Sequence, residues 1–235
     1  MTSETTPRRS HWKRNLAIAL GVVIVAAVGG PFFYIHVIQK DPPKKLQLSS
    51  APVASASAGS TVSADGSWKV ASGSTAGYRV HEVLIGQKTT AVGRTSDVSG
   101  SLTIAGTTVS TADFTVQMAT VKSDRDERDQ QFKGRIMDVS SYPTSTFRLT
   151  KPIDLGTIPA AGVAKTVNGT GTLTLHGTTR TVTVPLTARR SGATIAVAGS
   201  IPVTFADYNI TNPSFGPVTT DDHGSIEFLL NFAKT

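Results

Sequence analysis

The chain has 235 residues, room for one sizeable domain with appendages, and after residue 40 its apolar residues fall in short alternating segments rather than long amphipathic ones. It has no cysteine, which excludes a disulfide framework, a thiol nucleophile and a lipid-modified cysteine anchor. Of the formal charge of +7, Arg8, Arg9, Lys13, Arg14, Lys40, Lys44 and Lys45 against Glu4 and Asp41 account for +5, so +2 remains for the rest; a nucleic-acid binder would carry its excess on the folded domain, so no nucleic-acid partner is expected.

Residues 1–14 form a basic tail. Residues 15–38, NLAIALGVVIVAAVGGPFFYIHVI, hold no Asp, Glu, Lys or Arg. As a helix they would extend roughly 36 Å, enough to cross a bilayer. The cations before this stretch predict a single-pass membrane protein with a cytoplasmic N-terminus and everything after residue 40 outside the cell membrane. Trp12 and Phe32-Phe33-Tyr34 sit where interfacial aromatic anchors belong. A cleaved signal peptide is the competing reading, and the length of the apolar run favours the retained anchor. Residues 39–65, rich in Pro, Ser, Ala and Val, read as a flexible linker whose coil would reach only about 25 to 30 Å.

The remainder, 66–235, reads as an all-β domain of about eight strands. Trp68-Lys69-Val70 and Gly77-Tyr78-Arg79-Val80-His81 are expected as one long first strand with a bend. Leu102 and Ile104 alternate next, followed by Phe114, Val116 and Met118 on one strand face, then Phe147 and Leu149. The cleanest hairpin is Leu173 to Leu186, with Leu173 and Leu175 before a turn at His176-Gly177-Thr178-Thr179 and Val182, Val184 and Leu186 after it. Ile195, Val197, Ile201, Val203 and Phe205 continue the pattern, and Ile226, Phe228, Leu230 and Phe232 close it. Eight antiparallel strands make either a sandwich or a closed barrel, and periodicity does not choose between them. The one charged, helix-like piece is 123–139, with Ser123 as its expected N-cap, the run from Asp124 to Asp129 as a solvated start, and Phe132, Ile136 and Met137 as its apolar face.

From about Trp68 onward the chain resembles the YceI-like family of extracytoplasmic, polyisoprenoid-binding proteins. The residues that carry the likeness are Trp68, Gly77-Tyr78-Arg79-Val80, Val98-Ser99-Gly100-Ser101-Leu102, Arg125-Asp126, Ile136-Met137-Asp138, Tyr142-Pro143 with Phe147, and Leu173-Thr174-Leu175-His176-Gly177 with Val182. The resemblance implies an eight-stranded, lipocalin-like antiparallel barrel with a long isoprenoid lipid, a polyprenyl chain or an isoprenoid quinone, in its interior. Where many relatives carry a His-Leu pair after the Arg-Asp, this chain has Glu127-Arg128-Asp129-Gln130-Gln131-Phe132.

The expected ligand-binding residues are Tyr78, Val80, Phe114, Val116, Met118, Phe132, Phe147, Leu149, Leu173, Leu175 and Phe228. By pattern alone each is equally an ordinary core residue. An eight-stranded barrel is just wide enough to be filled by side chains or to hold one slender ligand. No enzyme is expected. Of the domain's histidines, His81, His176 and His223, the last two fall at turns, no G-x-S-x-G or Gly-rich phosphate loop occurs, and Asp221, Asp222 and His223 lack the spacing of a metal site. No cofactor is expected either. The alternative is a packed barrel that binds a protein or glycan of the cell envelope, for which Tyr208 and Phe215 would be exposed aromatics, although the same two residues would as easily plug the barrel mouth.

Overall fold

The computed structural model describes residues 41–49, 62–84 and 86–235. The stretch 15–38, expected to span a membrane, lies outside them, and among the described residues no helix is long and apolar enough to do so. The chain divides into two compact units, Met1–Asp41 with Ile85–Gln87, and Pro42–Leu84 with Lys88–Thr235. The second carries the barrel.

Among the described residues there are twelve strands: β1 Gly66–Val70, β2 Thr75–Leu84, β3 Gln87–Thr95, β4 Val98–Ala105, β5 Thr108–Gln117, β6 Thr144–Leu149, β7 Ile153–Asp154, β8 Ala164–Leu175, β9 Thr178–Ser191, β10 Thr194–Thr204, β11 Val218–Thr220 and β12 His223–Lys234. Eight of them pair antiparallel in the order β1, β4, β5, β6, β8, β9, β10, β12, and β12 returns to β1. Closure of this ring removes the unpaired edges that an open sheet would expose. The expected eight-stranded barrel is therefore the observed one.

The bend expected in the first strand is real. β1 lies beside β12 at Val70↔Phe232, and β2 takes over from Thr75↔Leu229. Between them the Ser74 hydroxyl lies 2.8 Å from the Ala71 carbonyl and accepts the Asn231 N–H at 2.9 Å, which satisfies the backbone where the ladder is interrupted. β3 has no counterpart among the expected strands. Its sequence, QKTTAVGRT, offers little apolar alternation, because its interior positions must be small: a Cβ on Gly93 would stand 2.2 Å from the Tyr78 ring.

The β8–β9 hairpin turns over two residues, His176 and Gly177, with Leu175 opposite Thr178, rather than over the four expected. Both have positive φ, 48° and 73°, the combination that suits a tight primed turn to the twist of its strands. His176 tolerates this because its Nδ1 lies 3.1 Å from the Tyr208 carbonyl and its ring meets Tyr142 edge-on at 4.7 Å.

Alternation sends one face of every strand into the barrel. Trp68, Leu102, Ile104, Ile195, Leu230 and Phe232 cluster toward the end where β1 and β8 begin, termed the base. Toward the opposite end Met118, Phe132, Leu173, Leu175, Val184, Ile201, Val203, Phe205 and Tyr208 form a second cluster, and Phe228 packs on both. A short helix α1, Asp126–Gln131, widens into a π-type turn over Phe132–Ile136 and lies at this second end.

Two expectations about α1 and its surroundings are corrected. Its N-cap is Arg125, not Ser123. Ser123 instead donates its N–H and hydroxyl to Asp129 Oδ1, both at 2.7 Å, and Asp129 is 5% exposed, so the charged run turns partly inward. Of the two readings open for Tyr208, a surface aromatic or a plug of the barrel mouth, the surface one does not hold: it is 3% exposed because a left-handed residue, Asn209, turns the chain so that Phe205, Tyr208 and Ile210 all enter the core. Phe215 is exposed as expected.

Of the linker expected over 39–65, two described pieces are held by the barrel. Leu46 N–H donates to Glu227 Oε2 at 3.4 Å, and the carbonyls of Pro43 and Lys44 accept from Arg79 and Arg94. Beneath this strap Arg79 Nε meets Glu227 Oε1 at 2.5 Å, with Arg94 3.7 Å from the other carboxylate oxygen. Farther along, Trp68 Nε1 donates to the Ala64 carbonyl at 2.9 Å, and Arg190 donates to that of Val62 at 2.8 Å.

Candidate functional site

The clusters do not fill the barrel. One chamber, of about 180 Å³, runs from the base toward the middle, and a second, of about 490 Å³, occupies the α1 end. The second volume falls in the range of small-molecule sites. Ala76, Val116, Ser145 and Ile226 line both chambers and so stand between them, at what is termed the waist. Three are apolar, and the Ser145 hydroxyl is occupied by donation to the Thr174 carbonyl at 3.0 Å, so the waist presents little polarity to a threading chain.

Every expected ligand-binding residue faces one chamber or both. Phe114, Phe147, Leu149, Leu173 and Phe228 line the base chamber, Tyr78, Val80, Met118, Phe132 and Leu175 line the other, and Val116 belongs to both. Met118 lies just past the end of β5, in a 3₁₀ turn over Met118–Thr120, so Phe114 and Met118 share a strand face in sequence yet serve different chambers. Phe114 and Phe147 stack across the β5–β6 pair with centroids 6.3 Å apart. Phe147 lies flat because its neighbour is Gly171, where a Cβ would stand 2.5 Å from the ring. Ala76 and Ser145 were not among the expected site residues, whereas Ile226 was a candidate for the lining. Small and hydroxyl side chains on strands carry no apolar signal, and only closure of the ring brings these two beside Val116 and Ile226.

The α1 chamber is apolar inside and charged at its rim. Tyr78 stacks on Phe132 at 5.1 Å with 16° between planes. Burial pushes the Tyr78 hydroxyl well above its ordinary value of 10.0; the Arg128 cation opposes the shift, and Asp129, Glu82 and Asp124 add to it. At neutral pH this group is therefore a protonated donor within the chamber. At the rim Arg128 donates to Glu82 at 3.0 Å and also to Asp124. Arg135 donates to the Pro213 carbonyl at 2.9 Å and lies over the Phe215 ring at 5.6 Å. Arg128 is thus compensated by two carboxylates, whereas Arg135 meets a carbonyl and a ring. Glu82, Arg128 and Arg135 were missed as lining because sign alternation in the sequence reads as a solvated face, whereas the partner of Arg128 lies 46 positions away.

The remaining polar candidates do not converge. Asp222 Oδ1 pairs with His223 Nδ1 at 2.7 Å on the surface; this contact lowers the Asp222 carboxyl and raises the His223 imidazole from their ordinary values. Among the described residues no group of three or more His, Asp or Glu is arranged to hold a metal ion.

The profile of the YceI-like domain matches residues 68–232, more than half of the chain. The chain belongs to the YceI-like family. Its fold is similar to that of a polyisoprenoid binding domain from Saccharophagus degradans implicated in plant cell wall breakdown, with a TM-score of 0.60, 19% identity and coverage of 72% of this chain and 98% of that one. It is also similar to BcnA of Burkholderia cenocepacia, with a TM-score of 0.50, 26% identity and coverage of 66% and 95%. Among curated proteins none matches. The two most specific pieces of the YceI-like pattern meet in space. Tyr142 packs on His176 and Gly177, and Pro143 offers its carbonyl to the Met118 N–H at 2.9 Å, which ties both motifs to the lining of the α1 chamber.

Proposed function

We propose that this YceI-like barrel binds an isoprenoid lipid, a polyprenyl chain or an isoprenoid quinone, with its tail laid through both chambers. The observation that carries the reading is the pair of apolar chambers that share Ala76, Val116, Ser145 and Ile226 as lining. The S. degradans neighbour, described as a polyisoprenoid binding domain, supports it. The energetics are sufficient. At roughly 0.8 kcal/mol per buried CH₂ group, a five-carbon isoprene unit contributes about 3 to 4 kcal/mol. Three or four buried units outweigh the association cost and reach micromolar affinity, on the order of 8 kcal/mol net.

The test is organic-solvent extraction of the purified protein followed by mass spectrometry. A series of ions spaced by isoprene units is expected. If no prenyl lipid copurifies and a fluorescent prenyl probe does not bind, the barrel is a packed module, and the exposed Phe215 becomes the place to seek an envelope partner.

We further infer that residues 15–38 anchor the protein as a single pass with the barrel outside the cell membrane, an inference supported by the basic residues before an uncharged stretch. Protease added to intact spheroplasts is expected to digest the barrel domain. A protected domain would reverse the topology.

A further inference from the structure

The base of the barrel combines three features. The segment from β7 into the first residue of β8, Leu155–Ala164 (LGTIPAAGVA), has no charged residue, and Val163, the last residue of its 160–163 turn, is 53% exposed. The loop is held in shape: Val163 N–H donates to the Ala160 carbonyl at 3.1 Å, Gly162 N–H to that of Arg190 at 2.8 Å, and Lys165 Nζ to those of Leu155 and Thr157. Second, Lys165, Arg189 and Arg190 stand beside the loop, and none of them pairs with a carboxylate among the described residues. The nearby carboxylates, Asp154 and Asp65, accept backbone N–H groups of Gly156 and Gly106. Third, the base chamber reaches this surface, since Ile158, Pro159 and Val163 line it together with those three cations and no carboxylate does.

We propose that this end of the barrel docks on an anionic lipid bilayer, with the 160–163 turn of the Leu155–Ala164 segment entering the interfacial layer and the neighbouring cations facing the lipid phosphates. A preformed apolar turn beside a cationic cluster suits that surface, whereas a soluble polyanion would leave the apolar turn without a partner. At the opposite end Arg128 is compensated by Glu82 and Asp124, and carboxylates share the rim with its arginines. Docked this way, the mouth of the base chamber faces the layer from which an isoprenoid tail would come.

The chain has no native cysteine, so single labels are clean. Full-length Val163→Cys and Phe215→Cys proteins, each carrying an environment-sensitive fluorophore, are reconstituted into phosphatidylcholine vesicles with or without phosphatidylglycerol, and no prenyl ligand is added. The Val163 probe is expected to shift to the blue and to be quenched by lipid-borne quenchers only in the anionic vesicles, and Arg189→Glu with Arg190→Glu abolishes both signals. The Phe215 probe stays in water throughout. A Val163 probe that remains in water on anionic vesicles overturns the proposal. So does a blue shift that grows with protein concentration in either vesicle type, which marks a contact between copies of the chain. Because the readout needs no prenyl ligand, its failure leaves the chamber reading untouched.

Discussion

Val116→Phe weakens binding of a long polyprenyl probe by about a hundredfold, a loss of about 2.8 kcal/mol, while a short geranyl probe binds as before. Val116 stands at the waist with Ala76, Ser145 and Ile226, and a benzyl group there closes the passage between the chambers. A tail confined to one side must return at least one isoprene unit to water, which costs about 3 to 4 kcal/mol. The short probe fits within a single chamber and does not cross the waist. Overpacking costs typically about 1 to 3 kcal/mol, so the variant is first shown to unfold cooperatively, and Ala76→Met, which narrows the same point with a flexible side chain, provides the second test. Equal losses for both probes would point to a distorted barrel. Undiminished binding of the long probe would mean that the tail does not pass the waist.

Glu227→Ala lowers the stability of the domain by about 3 to 5 kcal/mol, read as a lower denaturation midpoint at unchanged slope. Glu227 is 3% exposed, takes the Arg79 guanidinium at 2.5 Å, faces Arg94 at 3.7 Å and accepts the Leu46 amide. Its removal leaves two guanidinium groups with no counter-charge beneath the strap, and the desolvation penalty of the orphaned cations dominates the loss. The Leu46 amide is expected to lose its hydrogen-exchange protection in the same variant, because its acceptor is gone. Replacing Arg79 and Glu227 together by methionine restores most of the stability, as buried pairs exchanged for apolar residues usually do. A Glu227→Ala protein as stable as the parent, with Leu46 still protected, would show that the strap is held by other contacts.

The α1 end illustrates how a local pattern can mislead. From Asp124 to Asp129 the signs alternate as on a solvated helix, yet Asp129 is buried against Ser123 and Arg128 reaches Glu82 on β2. Nothing in a window of ten residues marks which of these charges turns inward. Tyr208 is a similar case, since its burial follows from the left-handed Asn209 that reverses the chain beside it.

The period-2 alternation of Leu173 and Leu175, of Val182 to Leu186 and of Ile226 to Phe232 is a local property, and with the glycine of the His176-Gly177 turn it determined the strands and which face each one buries. The spaced motifs from Trp68 to Val182 determined the family, and with it the expectation of a barrel with an apolar lining. The tertiary structure alone decided that the interior is two chambers rather than a filled core. That outcome depends on the volume left when particular side chains meet across a closed ring, where Gly171 makes room for Phe147 and Gly93 for Tyr78. It also decided the waist and the strap, because Ala76 and Val116 line one space and Arg79 meets Glu227 only after strands distant in the chain have paired. Periodicity reports which face is buried, while empty space and ion pairing are set by partners far away in sequence.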